Sequence, residues 1–292
     1  MAGIATAGPV TSAAESQRGL LPPPRLLLIN VVLVLGSVLM LTPFVWMILS
    51  SFKTQFEILM NPPTFLPLEW HPENYITAWN TAPFGQFYLN SLIVALTTTL
   101  SALLFGTMAG FGFSKHRFWG DRFFFLCILT NMMIPIHVTL IPRLYIAREM
   151  GWVDSLLGLI MPELVTTFGA FLMTQFMQSI PDELIDAARI DGAGEVRIYW
   201  QIMLPLVRPA LAALAIFRFM WSWNDFLWPV IVINSTVNKT LPIALAFFEE
   251  DHRTNYNMLM SASTFILVPV MIVFFAMQKQ FVSGITMTGM KG

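Results

Sequence analysis

Two charges stand inside an otherwise apolar run. Between residues 209 and 238 the only Asp, Glu, Lys or Arg side chains are Arg218 and Asp225. Seven positions make two helical turns, so the pair shares nearly one face. An arginine at the centre of a bilayer costs about 2.5–3.5 kcal/mol and must face a bundle interior or a wet cavity. Two chemistries fit: an ion-paired residue at a helix interface, or a solute or anion contact in a translocation path. Catalysis does not fit, because an intramembrane enzyme needs a His/Asp/Glu or Ser/Lys constellation at that depth. The four histidines (His71, His116, His137, His252) are scattered, and none pair at the i, i+4 spacing of a helical metal site. His137, the one inside an apolar run, reads as a hydrogen-bonded helix-interface residue. Cys127 is alone, so no internal disulfide forms, and it reads as a small buried hydrophobe. Glu163 reads as a water-facing residue at the outer end of a span. No catalytic residue, metal site or cofactor site is expected in this chain.

A second concentration of chemistry lies just before that run. Eight of the 33 Asp, Glu, Lys and Arg residues fall within 181–208. Ser179 and Asp182 have capping-box spacing, Pro181 suits a first turn, and Asp182 and Glu183 suit the positive end of a helix dipole. Gly192 is a natural stop after Asp191. The spacing predicts a helix over 181–190 outside the bilayer, with Leu184, Ala187, Ala188 and Asp191 on one side. Paired alanines there let another backbone approach closely. A second helical stretch follows over 195–203, before Pro205 and Pro209. Such a segment is either a solvated connector or a docking element for a cytoplasmic partner.

The elements that must position these groups follow from composition. Charged residues make up 11% of the 292 and hydrophobic ones 56%, against about 25% and 45–50% in soluble domains. So little charge cannot cover a soluble globule, and a net charge of −1 gives no electrostatic footprint for nucleic acid. The class is an all-α polytopic membrane protein. A span needs about 20 mostly apolar residues, and six segments qualify: about 26–51, 87–113, 123–141, 155–178, 209–233 and 257–278. They form one transmembrane domain over 26–282, with the loop 179–206 between the fourth and fifth spans. Residues 1–25 read as a disordered tail, and the apolar run after it as an uncleaved first span. Residues 283–292 read as a second tail. Lys and Arg divide ten to five between alternate loops, which places both termini and the 179–206 loop in the cytoplasm. In the second span Thr97, Thr98, Thr99, Ser101, Gly106 and Gly110 predict close helix packing. A short amphipathic stretch at 74–80, with Trp70, Tyr75 and Trp79, suits a membrane–water interface.

The 179–206 loop resembles the EAA loop of ABC importer permeases. The pattern stands as Asp186-Ala187-Ala188, Gly192, Ile202 and Leu204-Pro205, with Asp186 where the family has Glu. Asn90-Ser91-Leu92, Met133-Ile134-Pro135, Leu140-Ile141-Pro142, the 223–229 segment beginning Trp223-Asn224-Asp225 and the ending from Gln278 to Gly292 resemble the carbohydrate-type branch. That branch includes the smaller permease subunit of maltose-type importers. The resemblance covers roughly residues 26–292 and implies the type I permease architecture in a bacterial or archaeal plasma (inner) membrane. It implies a second permease subunit, a cytoplasmic ATP-binding subunit dimer that carries ATP and Mg, and an extracytoplasmic solute-binding protein. It implies a solute that is a sugar or oligosaccharide, with glycerol phosphate or another polyol as the alternative. A stand-alone secondary transporter would instead show inverted repeats or paired intramembrane charges, and neither is evident. The sequence holds no Gly-x4-Gly-Lys-Ser/Thr loop to cradle ATP phosphates. By the same resemblance Asp186, Ala187, Ala188, Asp191, Gly192, Leu204 and Pro205 couple to the ATPase. Arg218, Asn224 and Asp225 are the candidate path residues, though Asn224 and Asp225 also suit a packing role.

Overall fold

The computed structural model describes residues 24–250 and 253–289. The predicted N-terminal tail therefore lies outside the described residues, apart from its last two positions, as do residues 290–292 of the C-terminal one. The chain divides into two units, residues 1–46 and 47–292.

The first unit is described as helix alone. Helix α1, Pro24–Ser51, starts there and ends in the second unit. Its side chains from Leu26 to Leu41 are exposed. A helix this apolar and this exposed suits lipid rather than water.

In the second unit the proline-rich segment after α1 is folded rather than loose. Short helix α2, Gln55–Ile58, begins where Thr54 caps the Glu57 amide. The Glu57 carboxylate accepts from the Thr64 hydroxyl at 2.7 Å and the Leu68 amide at 2.9 Å. Helix α3, Glu73–Thr81, is the predicted amphipathic stretch. Its buried Asn74 donates to the carbonyls of Ser51 and Lys53, both at 2.9 Å, satisfying the end of α1.

Helix α4, Phe84–Lys115, is the spine of this unit and packs most extensively on helices α8, Thr167–Gln178, and α12, Arg208–Trp223. The small residues do what their spacing predicts. A Cβ at Gly106 would lie 3.2 Å from the Gly169 backbone, and one at Gly110 would lie 2.6 Å from the Met173 Cβ.

The third predicted span is not one straight helix. Helices α5, Asp121–Met133, and α6, Ile136–Glu149, meet at 104°. Pro135 cannot donate an amide, and it forces Ile134 into extended backbone (φ −79°, ψ 118°). The fourth is interrupted as well. Helix α7, Leu156–Ile160, passes into a 3₁₀ turn at Met161–Glu163 before α8.

Helix α9, Asp182–Ile190, follows α8. Helix α10, Glu195–Ile198, a π-helical turn Tyr199–Met203 and helix α11, Leu204–Leu206, then lead to α12, with a bend of 78° at Val207. The fifth predicted span breaks at residues 224–226, between α12 and helix α13, Leu227–Val232. Helix α14, Leu241–Ala244, and a two-residue antiparallel ribbon (Glu249–Glu250 with Arg253–Thr254) precede helix α15, Tyr256–Gly289. Among the described residues, four helical stretches are long and apolar enough to cross a membrane, and up to six if each bent pair counts as one span.

Candidate functional sites: a docking helix and a charged cluster

The first site is α9. It forms where the residues predict, but Ser179 does not cap it. That hydroxyl donates instead to the Phe176 carbonyl at 2.7 Å, closing α8, while Pro181 holds the N-cap position of α9 without a side-chain bond. A buried lysine fixes this entry: Lys115 Nζ donates to the Ile180 carbonyl at 2.5 Å and to Asp182 Oδ1 at 2.6 Å. That hydrogen bond holds the Asp182 carboxyl below its ordinary value.

Gly192 makes the exit. At φ +81° it donates its amide to the Arg189 carbonyl, and Ala193 donates to Ala188, a Schellman closure. Arg189 ties the two halves of the loop: its Nε lies 2.8 Å from Glu195 Oε1 and its Nη1 3.2 Å from Asp186 Oδ1. The bond from Arg189 holds the Glu195 carboxyl below its usual range. His116 Nε2 is 3.4 Å from the other Glu195 oxygen.

The two alanines part company. Ala188 is buried with Ile185 against Met173, Met177, Tyr199 and Met203, so it seats α9 on its own chain and does not face outward. Helical spacing places Leu184, Ala187 and Asp191 outward, and they are exposed together with Asp186 and Ile190. Leu204 packs on the same internal cluster, and Pro205 opens the turn into α12.

The second site surrounds Glu163, which the sequence reading left facing water. It is mostly buried instead. Its Oε1 lies 2.5 Å from Arg143 Nη2 and its Oε2 2.8 Å from Arg218 Nη2. Arg218 also donates to the Glu163 carbonyl at 3.2 Å, so the arginine is ion-paired, as one of its two readings had it. The Arg143 guanidinium stacks over Trp228, 4.8 Å from the ring centroid. Arg218 and Asp225 do share a face, lining one small pocket with Glu163 and Trp221. Asp225 Oδ1 also accepts from the Trp228 amide in the first turn of α13, at 3.5 Å. Asn224 stands apart, exposed and bonded to the Met220 carbonyl.

Glu163, Arg143 and Trp221 line a larger cavity of about 720 Å³ at the α5–α6 break, with Asn131, Thr139 and Thr166. Two smaller expectations fail: Cys127 and His137 are both exposed. Sequence reasoning missed Arg143 and Lys115 altogether. A lone Glu163 in an apolar run was the available signal, because a carboxylate there needs a cation.

Residues 102–287 match the family model described as the binding-protein-dependent transport system inner membrane component. The arabinooligosaccharide transport permease AraQ of Bacillus subtilis is 36% identical over 262 residues, covering 88% of this chain and 92% of that one. The diacetylchitobiose uptake permease NgcG of Streptomyces coelicolor is 32% identical, covering 88% and 86%. The sn-glycerol-3-phosphate transport permease UgpE of Yersinia pestis is 30% identical, covering 88% and 94%. A chain of a bacterial ABC transporter that imports the acidic polysaccharide alginate superposes with a TM-score of 0.78 at 21% identity. That match covers 92% of this chain and 99% of the other, and it shows a shared fold.

Proposed function

This chain belongs to the family of binding-protein-dependent transport system inner membrane components, and from that membership we propose that it is one permease subunit of an ATP-driven oligosaccharide importer. A second permease subunit completes the path. A dimer of cytoplasmic ATP-binding subunits carries ATP and magnesium, and an extracytoplasmic binding protein delivers the solute. Both termini are cytoplasmic, in the plasma (inner) membrane of a bacterium or archaeon, which puts α9 on the ATPase side.

The observation that carries this reading is the construction of α9. It is short, anchored inward by Ile185 and Ala188, tied at its start to α4 through Lys115, and bare at Leu184, Ala187 and Ile190. A helix so held moves as a rigid body with whatever docks on the bare side. Its motion passes to α4 through Lys115 and to α12 through residues 195–207. ATP shifts the access equilibrium only through different affinities of the ATPase for the two states. Asp186 and Asp191 supply charge-assisted bonds to the partner, and Ala187 permits close contact.

In reconstituted complexes, Ala187→Arg is expected to leave membrane insertion intact and abolish ATPase co-purification and solute-stimulated ATPase. Normal stimulation would refute the docking role. Uptake by the chain without any ATPase would support a stand-alone transporter instead.

The solute class rests on the named substrates of AraQ and NgcG. UgpE supports a second reading, import of a glycerol phosphate. Thermal shift of the cognate binding protein with arabinotriose, diacetylchitobiose and sn-glycerol 3-phosphate separates the two.

A further inference from the structure

The 720 Å³ cavity is built by three predicted spans: the α5–α6 break, the turn into α8, and Trp221 of α12. Polar side chains at membrane depth face a bundle interior or a wet cavity, and here they converge on one. Glu163 spends one oxygen on each arginine. An anion could accept from the remaining N–H groups of Arg143, but it would meet the charge of the Glu163 carboxylate and has no proton to donate to it. A hydroxyl faces no such conflict. It accepts from the remaining guanidinium N–H groups of Arg143 and donates to the remaining lone pairs of Glu163. Thr166, at the N-cap of α8, makes no capping bond with its side chain, and Asn131 adds an amide. Trp221 is 65% exposed and Trp152 also lines the wall, so two aromatic surfaces are available to the C–H faces of a ring. Few polar groups set in an apolar, aromatic wall make a ligand site of ordinary size.

We infer that this cavity is a solute subsite of the translocation path that takes an uncharged, polyhydroxylated solute such as a sugar unit, with Arg143 and Glu163 as its paired hydrogen-bonding groups. The inference rests on the importer reading above and adds to it a place and a charge preference.

The test uses the assembled complex in proteoliposomes. Cys127→Ser removes the native thiol, and Thr166→Cys places a reporter in the cavity, with Thr139→Cys as a second reporter if the first does not assemble. Labelling by a membrane-impermeant maleimide and uptake are measured with arabinotriose, diacetylchitobiose or sn-glycerol 3-phosphate. A transported neutral sugar is expected to slow labelling by roughly tenfold at ten times its Kd, and Trp221→Ala to remove that protection. The phosphate is expected to give none. Protection by the phosphate, or sugar uptake with unchanged labelling, overturns the subsite while the importer reading stands. Protection without uptake keeps the subsite and sinks the importer reading. Neither protection nor uptake with any of the three overturns both.

Discussion

The Oε2 of Glu163 lies 2.8 Å from Nη2 of Arg218. The two residues sit in different predicted spans, and Arg143 joins them through the other carboxylate oxygen. One carboxylate therefore fastens α6, the turn before α8, and α12. Because α12 follows directly from the docking loop, this cluster lies at the far end of the element that the ATPase is proposed to drive.

Glu163→Gln should destabilise the complex by stranding a buried guanidinium. Breaking a buried pair costs roughly 3–5 kcal/mol, whereas replacing both partners by apolar groups is often neutral. Arg218 is 8% exposed and Glu163 23%, so the lower end of that range is expected. Thermal unfolding of the solubilised complex should show a clear fall in Tm for Glu163→Gln. The double variant Glu163→Gln with Arg218→Met should recover most of it. An unchanged Tm in the single variant would mean that Arg218 does not depend on Glu163.

Lys115→Met should uncouple rather than unfold. The methionine keeps most of the apolar stem but loses the bonds to Ile180 and Asp182 that fix the start of α9. Solute-stimulated ATPase should fall by more than basal ATPase, and equal losses would argue against a coupling role.

The loop should also be insensitive to pH across the physiological range. Asp182 and Glu195 both have carboxyls held below their ordinary values, by Lys115 and Arg189 respectively. A lowered folded pKa contributes stability that is fully present above the unfolded value, about 4 for these groups, and is lost as pH falls through the folded value. Hydrogen exchange over residues 182–195, corrected for intrinsic rate, should be flat from roughly pH 5 to 8 and rise only in stronger acid. A transition within that flat range would mean that these two carboxylates do not set the stability of the loop.

The apolar lengths, the α9 helix and its glycine stop were legible because each depends on local spacing. Gly192 needs only its own φ, and Gly106 and Gly110 announce close packing by being small. What escaped depends on contacts distant in sequence. Lys115 and Asp182 are 67 positions apart, and Glu163 finds two arginines from other helices. The inward turn of Ala188 also escaped. The α9 stripe has two usable sides, and only the packing of Ile185 on Met173 and Met177 decides which one faces home. The break in the third span was visible in Pro135, but proline inside a span is tolerated often enough that its angle was not.

Gly110→Ala offers the sharpest test of the packing that sets α9 in place. The added Cβ would lie 2.6 Å from the Met173 Cβ and 2.8 Å from its carbonyl carbon. Neither atom is the end of a flexible chain, so α4 and α8 must separate, at about 1–3 kcal/mol for overpacking. Gly112→Ala, two residues on, meets nothing within 4 Å and should be neutral or mildly stabilising through helix propensity. Since α8 ends only a few residues before α9 begins, displacing α8 also moves the docking surface. Gly110→Ala should therefore lower both Tm and solute-stimulated ATPase, while Gly112→Ala changes neither for the worse. Matching effects at the two positions would mean that α4 and α8 do not meet at Gly110, and the route from α9 into α4 would have to run through Lys115 alone.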